Sequence, residues 1–220
     1  MRRRRLTEGD RPPPFPAEFS EALDGVASTI LSDLLDGAAL SGPRPLHREQ
    51  PTLCGSALTV VTRPGDNLAV QRAIDLAQPG DVLIVAGGGL TSQAVLGEVA
   101  VRIAIHRGVV GAIVDGAVRD ARRLRELKFP VFATGTSPAR PSSTGPGGVS
   151  VPVTVGDCII RPGDVVFGDE DGLVSASRTE ILDIVAAIPG AIAHDEVRAA
   201  RADAGSADWS HEDVTISKVP

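Results

Sequence analysis

Two apolar segments separated by a glycine-rich connection constrain the fold of this chain more than any other feature. Residues 82–86 and 109–114 are short apolar runs bounded by turn residues, a pattern typical of buried strands. Three glycines follow the first run at 87–89, an apolar segment continues to Arg107, and Gly108 precedes the second run. A strand, loop, helix and strand in this order favour two parallel strands. The sequence therefore predicts an α/β fold.

Gly97 determines where the helix between these strands begins. A helix that began at Ser92 would hold Gly97 in its interior, which costs about 1 kcal/mol relative to alanine. A start near Gly97 avoids this cost and leaves residues 87–96 as a glycine-rich loop. It also puts the Glu98 carboxylate in the first turn, where the helix dipole favours a negative charge. Free backbone amides at this start, from Gly97 to Ala100, could hold a carboxylate; an ordinary tight strand-to-helix connection is the alternative.

Turn chemistry and apolar spacing outline the rest of the chain. The tripeptide Pro-Gly-Asp occurs at 64–66, 79–81 and 162–164, and proline followed by glycine suits a type II turn. Ser28 is predicted to cap a helix that Gly37 ends. The strands group partly in runs, which argues against a simple alternating doubly wound fold. The other predicted strands are 57–62, 131–133, 151–155, 158–161, 164–168 and 172–176, and the other predicted helices are 67–77, 117–128, 178–188 and a segment from Pro189 to about Ala204.

Length and composition indicate one domain with tails. The chain has 220 residues, of which 42% are hydrophobic, and this size favours a single core. Residues 1–20 are predicted to form a flexible, basic and proline-rich arm, and residues 21–190 a single domain. Residues 191–220 are predicted to form a C-terminal helix and tail. The segment 135–150 is dense in Pro, Ser and Gly, and a loop of this length suggests function or mobility.

The charge balance and the absence of targeting signals exclude several kinds of partner. A formal net charge of -6 gives no general attraction to nucleic acid or to anionic membranes. No stretch approaches the roughly 18 apolar residues that cross a bilayer, and no apolar signal-peptide segment follows the basic start. Cys54 and Cys158 are too few for a disulfide framework. We therefore expect a cytoplasmic protein with neither nucleic acid nor membrane as a partner.

The segment Asp115-Gly116-Ala117-Val118-Arg119-Asp120 carries the best candidates for chemistry. The second buried strand is predicted to end at Asp115, so that a helix starting at Ala117 holds Arg119 in its first turn. A cation is disfavoured there by the helix dipole, and an anion should compensate: either a surface partner, Asp115 or Asp120, or a ligand at the carboxyl end of the strand. Asp120 could ligate a hard cation such as Mg²⁺. Asp115 is most simply a turn residue or a helix cap.

Other familiar site patterns are missing or have simpler explanations. The glycines at 87–89 fit neither the dinucleotide fingerprint nor the P-loop. The four histidines are scattered, with no zinc-protease motif, and the chain has no serine-hydrolase motif. The acidic segment 169–172 lies between two predicted strands, where an acidic turn is expected rather than a metal loop.

Taken together, several segments in this order resemble one family, the RraA-like family, over about residues 28–188. That family includes class II 4-hydroxy-4-methyl-2-oxoglutarate / 4-carboxy-4-hydroxy-2-oxoadipate aldolases. The resemblance implies a compact β/β/α sandwich of the swivelling phosphohistidine-domain-like type with a mixed sheet. It also implies a catalytic domain at 21–190 and a homotrimer or hexamer, with residues 191–220 at a subunit interface. The segments that carry it are 79–85, the glycines at 87–89, Gly97-Glu98, 107–111, 115–120, 129–132, 161–164 and 169–174.

The resemblance also implies roles for individual residues. Arg119 would bind the pyruvyl part of a small 2-oxo acid, and Asp120 would anchor Mg²⁺ or Mn²⁺ largely through waters. The backbone at Gly97, Glu98, Val99 and Ala100 would receive the substrate carboxylate. An acidic residue from a neighbouring subunit's C-terminal helix would complete the catalytic set, with Glu196 as the nearest counterpart and Asp195 as a rival.

The implied reaction is cleavage of the two 2-oxo acids named above to pyruvate plus pyruvate or oxaloacetate. A metal-linked water or Glu98 would help to remove the C4 hydroxyl proton, and oxaloacetate decarboxylation would pass through the same enolate. Two alternatives stay open from the sequence. One is a non-catalytic regulator that binds ribonuclease E. The other is a relative that applies the same metal-enolate chemistry to another hydroxy acid, with specificity held in 135–150 and in the tail.

Overall fold

Ten of the strands join one mixed sheet, and two more form a separate hairpin. The computed structural model describes residues 5–13 and 16–206 of the chain. The strands are β1 (Leu6–Glu8), β2 (Arg44–Pro45), β3 (Leu53–Thr62), β4 (Asp81–Ala86), β5 (Ala94–Leu96), β6 (Gly111–Val118), β7 (Val131–Thr136), β8 (Gly147–Val149), β9 (Val153–Val155), β10 (Cys158–Ile160), β11 (Val165–Gly168) and β12 (Leu173–Ala176). The helices are α1 (Ala17–Ala22), α2 (Ser28–Leu34), α3 (Leu68–Leu76), α4 (Glu98–His106), α5 (Ala121–Glu126), α6 (Arg178–Ile184) and α7 (Ile188–Asp203), with a 3₁₀ turn at Val185–Ala187.

The central strands of the sheet are parallel, antiparallel pairs flank them, and a further parallel pair, β1 with β8, lies at one end. Its main path runs β1-β8-β3-β4-β6-β7-β2, and the strands from β3 to β7 on this path are parallel. β4 and β6 pair with Val82 opposite Gly111, which confirms the parallel pair expected from the two apolar runs. β11 lies antiparallel to both β3 and β12. The prediction of an α/β fold with a mixed sheet is confirmed.

Alternation along β4 shows how the layers are arranged. Leu83 and Val85 belong to a core with α3 and α4, whereas Val82 and Ile84 belong to a core with the β9–β10 hairpin. Successive side chains of a strand point to opposite faces, so the helices cover one face of the sheet and the hairpin covers the other. A third core joins β11 and β12 to α2 and α6. The order of helices, main sheet and small sheet corresponds to the predicted β/β/α sandwich.

The end of β6 differs from the sequence prediction. The strand continues through Asp115-Gly116 to Val118, and α5 begins only at Ala121. The prediction of a helix from Ala117 was therefore wrong. After a register shift, Ala117 and Val118 pair with β7 on one side and with β5 on the other. Pairing with distant strands thus extends β6 beyond a dipeptide that is typical of a turn.

The start of α4 agrees with the prediction, but the loop before it does not. Gly97 is the N-cap residue and Glu98 is the first helical residue, as the cost of a helical glycine indicated. The predicted loop at 87–96 is shorter, because residues 94–96 form β5. This three-residue strand has no alternating pattern of its own that could have revealed it.

Ser28 does not cap α2. The N-cap position belongs to Ala27, and the Ser28 hydroxyl instead donates a hydrogen bond of 2.7 Å to Asp169 Oδ1. The Asp169 carboxylate also accepts from the Ser28 and Asp171 backbone amides. The segment 169–172 is therefore the acidic turn that was predicted between β11 and β12, and its first carboxylate ties α2 to that turn.

The arm predicted at residues 1–20 is held against the sheet where the structure describes it. β1 pairs in parallel with β8, and Glu8 lies 2.7 Å from Arg72 Nε. The Arg11 guanidinium contacts both oxygens of the buried Asp81 carboxylate at 2.7 and 2.8 Å. Residues 5–13 thus have sheet and ion-pair partners that lie far away in the sequence, and the flexibility of the arm stays a prediction.

The predicted boundaries at 20 and 190 both fall inside helices, the first in α1 and the second in α7, and the division of the chain at these points stays a prediction. Within the described ranges, no helix has the length and apolar character that crossing a membrane requires.

Candidate active site

The turn between β6 and α5 presents Arg119 and Asp120 together. Asp120 has φ 59° and ψ 33°, the left-handed conformation, at the N-cap of α5. Aspartate tolerates this conformation better than most residues, and such positions persist only where the surroundings hold them. The Arg119 backbone N–H donates to Leu96 O at 2.9 Å. Arg119 thus precedes the helix instead of lying in its first turn, which corrects the prediction, and the turn is fastened beside the start of α4.

The Asp120 carboxylate joins the two segments predicted to form the site. Its Oδ2 atom accepts hydrogen bonds from the Glu98 backbone N–H at 3.1 Å and from Arg119 Nε at 3.3 Å. The side chains of Asp120 and Arg119 are 37% and 38% exposed, so both remain open to a ligand. The structure therefore brings together the residues that sequence reasoning had placed in separate motifs.

Gly97 is required here for close approach. Its φ of −157° is an extended conformation that any residue can adopt. A Cβ atom at this position, however, would lie 2.7 Å from Asp120 Oδ2 and 2.8 Å from Arg119 Cγ. Both distances are below those that packed side chains tolerate. Only glycine lets the Arg119-Asp120 turn lie against the first turn of α4.

Glu98 extends from that first turn next to two cations. Its carboxylate lies 2.8 Å from Arg102 of the same helix. The pKa of Arg123 is raised, mainly by its hydrogen bond and charge interaction with Glu126 and to a lesser extent by the Glu98 charge. In this chain the Glu98 side chain is thus an ion-paired group at the rim of the site, whereas its backbone N–H contacts Asp120.

A groove of about 260 Å³ runs along this cluster. One wall is apolar and belongs to α4, where Val99 is 71% exposed and Ile103 is 47% exposed. A second concavity adjoins the first at Arg119 and Asp120, and Thr136 and Ser137 complete it. The groove is lined by Asn67, Gln71, Val95, Leu96, Gly97, Val99, Ala100, Ile103, Arg119, Asp120 and Pro141.

Asp66, which the sequence analysis did not single out, fastens the opposite wall of the groove. It is fully buried. Burial alone would raise the pKa of Asp66, but hydrogen bonds from the Thr144, Leu68 and Gly145 amides and from the Ser142 hydroxyl lower it to about 2. The carboxylate thereby ties the start of α3 to the segment 142–145. The one sequence feature that could have pointed to Asp66 is its position as the last residue of the Pro-Gly-Asp tripeptide at 64–66.

This geometry can be compared with known proteins. Residues 28–175 match the RraA-like family, described as Aldolase/RraA. The chain belongs to the RraA-like family. It is 37% identical over 183 residues, 82% of this chain and 87% of the relative, to a protein of Halalkalibacterium halodurans named "Putative 4-hydroxy-4-methyl-2-oxoglutarate aldolase".

Two solved structures are similar to this RraA-like chain. One is Streptomyces coelicolor RraAS2, described as an unusual member of the RNase ES inhibitor RraA protein family. It shares 31% sequence identity and a TM-score of 0.76, with 84% of this chain and 98% of that chain covered. The other is the RNA-processing inhibitor RraA of Thermus thermophilus, with 31% identity, a TM-score of 0.63, and 69% and 92% of the two chains covered. The relatives thus carry both enzyme and inhibitor names.

Asp115 has a different role in this RraA-like fold from the one predicted. It lies within β6 instead of forming a turn or a helix cap. Its Oδ2 atom accepts from the Gly89 N–H at 3.1 Å and its Oδ1 atom from the Thr134 hydroxyl at 3.3 Å. The carboxylate therefore holds the glycine segment after β4 against β7.

Glu196 and Asp195 are not brought to the groove within one chain. Both are exposed on α7, a helix that packs against α2, and Asp195 lies 3.5 Å from Arg198. Their predicted roles depend on a second subunit and stay predictions. Over residues 5–13 and 16–206, no three histidine, cysteine or acidic side chains come together as a metal-binding group.

Proposed function

We propose that this chain is a divalent-metal-dependent aldolase. Its substrates would be 4-hydroxy-4-methyl-2-oxoglutarate or 4-carboxy-4-hydroxy-2-oxoadipate, cleaved to pyruvate plus pyruvate or oxaloacetate. The observation that carries the proposal is the contact of Asp120 with both Arg119 and the Glu98 amide at the edge of an open groove. The name of the Halalkalibacterium relative supports the same reaction.

Arg119 is suited to bind the carboxylate and 2-oxo group of the substrate. Its Nε atom is engaged by Asp120, whereas its two terminal nitrogens have no partner among the residues described. A guanidinium group presents these nitrogens as a pair that matches a carboxylate. The backbone amides at Gly97, Glu98, Val99 and Ala100 lie at the positive end of α4, where an anion is stabilised.

Asp120 could ligate Mg²⁺ or Mn²⁺ as the single carboxylate that this chain supplies. Its Oδ2 atom takes both hydrogen bonds from the protein, and Oδ1 has no partner within the described part of the chain. Mg²⁺ keeps several waters and often takes only one or two protein carboxylates, so the absence of a larger acidic cluster is compatible with this metal. When bound, such an ion would supply a positive charge where negative charge develops in the reaction.

The proposed cleavage begins with removal of the C4 hydroxyl proton. Glu98, released from Arg102, or a Glu196 or Asp195 carboxylate of a neighbouring subunit would accept that proton. The C3–C4 bond then breaks, C4 becomes a carbonyl, and the electron pair gives a pyruvate enolate that is protonated at C3. Arg119 would stabilise this enolate more strongly than the substrate, which is how such contacts accelerate a reaction. Decarboxylation of oxaloacetate would release CO₂ and give the same enolate.

The role given to a neighbouring subunit requires an assembly of copies, and we propose a homotrimer or hexamer. A non-catalytic regulator of an RNase E-type enzyme is the second candidate function, because one structural relative is described as an RNA-processing inhibitor and another as an unusual member of an RNase ES inhibitor family. A relative that acts on another hydroxy acid is the third. A regulator needs no metal, whereas both enzyme readings require Asp120 and a divalent ion.

Pyruvate release from the two 2-oxo acids and from oxaloacetate tests the proposal. We expect turnover with Mg²⁺ or Mn²⁺ and none with EDTA. Arg119→Gln and Asp120→Asn should each lower turnover by about a hundredfold or more, whereas Arg161→Gln, at an exposed arginine before β11, removes the same charge as the first and should have no effect. Metal-dependent turnover of a different hydroxy acid alone would favour the third candidate. No turnover of any of them would favour the regulator.

A further inference from the structure

A larger cavity lies away from the proposed active site. It has a volume of about 630 Å³ and is formed by residues 47–51 together with the end of α5 and the turn that follows it. It shares no lining residue with the groove at Gly97. Small-molecule sites commonly occupy about 300–1,000 Å³, so the cavity is large enough for a metabolite.

Three cations of this cavity have no acidic partner. Arg48, Arg125 and Lys128 all line it together with one carboxylate, that of Glu49. None of the three cations forms an ion pair with any residue that the structure describes, so the lining carries an excess of positive charge. The other two arginines of α5 differ, because Arg122 and Arg123 lie 3.1 and 2.7 Å from the Glu126 carboxylate. The chain as a whole carries a formal charge of -6. A concentration of unpaired positive charge in such a chain indicates a place for an anion.

His47 contacts one of these three cations, Arg125, at the edge of the cavity. Arg125 Nε donates to His47 Nδ1 at 3.2 Å, so this ring nitrogen serves as an acceptor and carries no proton. Burial and the charge of Arg125 lower the pKa of His47, against a smaller opposing effect of the Ala121 carbonyl. A histidine ring carries no negative charge, so His47 holds the Arg125 guanidinium beside the cavity without neutralising it.

Gln50 adds a hydrogen-bond donor without an acceptor. Its Oε1 atom accepts the Val131 N–H at 3.3 Å, which fixes the amide orientation and leaves the NH₂ group to be satisfied. That nitrogen is buried and has no partner within residues 5–13 and 16–206. Buried donors are nearly always satisfied in folded proteins. An anionic oxygen in the cavity would supply the acceptor after a small rotation of the side chain.

We propose that this cavity binds a small organic anion with two or three acidic oxygen groups, either carboxylates or a phosphate. Arg48, Arg125 and Lys128 would hold the charged groups. Leu124, Phe129 and Pro51 also line the cavity and would contact the carbon body of the ligand. The site is independent of the proposed aldolase activity, since the residues that bind the anion are different from those at Arg119 and Asp120.

Isothermal titration of the purified full-length protein with tricarballylate, and separately with inorganic phosphate, tests this site. Ionic strength is matched with sodium chloride, and divalent ions are removed beforehand with a chelating resin, so that neither a metal nor a soluble chelator contributes to binding. The double variant Arg48→Gln, Lys128→Gln removes two charges and keeps a polar side chain at both positions. We expect saturable binding of at least one probe in the unmodified protein, and binding at least about tenfold weaker in the double variant.

Two single variants assign the binding to this cavity. Arg201→Gln removes one positive charge from α7 and should bind the probe as the unmodified protein does. Arg119→Gln should also bind normally, and loss of binding in that variant would show that the probe occupies the groove, which would overturn the proposal. Absence of saturable binding of both probes across the millimolar range would overturn it as well. Thermal unfolding of each variant checks that the fold is retained.

Discussion

Asp120 and Gly97 are so close that no β-carbon fits between them. Oδ2 of Asp120 lies 2.7 Å from the point where a Cβ atom of residue 97 would be, although the backbone conformation at Gly97 suits any amino acid. The requirement for glycine is therefore imposed by a neighbour from another segment of the chain and not by the local backbone.

Replacing Gly97 with alanine should displace Arg119 and Asp120 without unfolding the protein. We expect turnover to fall by about a hundredfold, the usual effect of moving catalytic groups by about 1 Å, with a small change in melting temperature. The matched control is Gly190→Ala on α7, where no atom lies within 4 Å of the new methyl group. That variant should keep full activity and gain about 0.5–1 kcal/mol of stability. Equal activity in both variants would contradict the assignment of the site.

Asp120 and Asp115 should respond differently to the same conservative change. Asp120→Asn removes the carboxylate proposed to anchor the metal, and we expect metal-dependent turnover to drop by about a hundredfold. Asp115→Asn keeps an oxygen acceptor and a polar partner for Gly89 and Thr134 and should lose less than about tenfold. The measurement is initial rate against Mg²⁺ concentration. A larger loss for Asp115→Asn would move the metal site to β6.

Asp66 should make stability depend on pH in the acid range. Its pKa falls from an ordinary 3.8 to about 2 in the folded chain, so its contribution is fully present above about pH 4 and is lost as the pH falls towards 2. This shift corresponds to about 2 kcal/mol. Denaturant unfolding at several pH values should show the loss in the unmodified protein and not in Asp66→Asn. Asp203→Asn, at an exposed carboxylate of α7, serves as the control and should leave the loss of stability towards pH 2 in place.

The two ion pairs that hold the N-terminal arm should differ in strength. Arg11→Ala leaves the buried Asp81 carboxylate without its cation, and we expect a loss of about 3 kcal/mol in the free energy of unfolding. Arg72→Ala breaks the exposed contact with Glu8, where water replaces the partner, and should have a much smaller effect. Urea unfolding compares the two variants. Similar losses would mean that burial of Asp81 contributes little.

Local chemistry made several features of this fold predictable. The cost of a helical glycine located the start of α4 at Glu98. The three Pro-Gly-Asp tripeptides predicted turns, and Gly65, Gly80 and Gly163 all have φ between 73° and 86°, as the third residue of a type II turn requires. In each case the relevant energy depends on a few consecutive residues, so the sequence alone is sufficient.

Features decided by distant partners were not predictable in the same way. Asp115-Gly116 is typical of a turn, yet β5 and β7 pair with the residues that follow and keep them extended. Ser28 is a favourable cap residue, but Asp169 provides a stronger partner for its hydroxyl. The groove wall that Asp66 fastens depends on hydrogen bonds between residues more than 70 positions apart in the sequence. The candidate site was found because its residues fall into two short motifs, whereas its distances depend on tertiary contacts.

The path of the main sheet ends in two very short strands, and this limits growth at its margins. β1 has three residues, and β2 has two, one of them Pro45, which has no N–H to donate. A strand from another molecule would find little free backbone to extend the sheet at either end of this path, so the fold resists fibril-like edge-to-edge aggregation there. An assembly of copies would therefore have to use side-chain surfaces at these ends in place of backbone pairing.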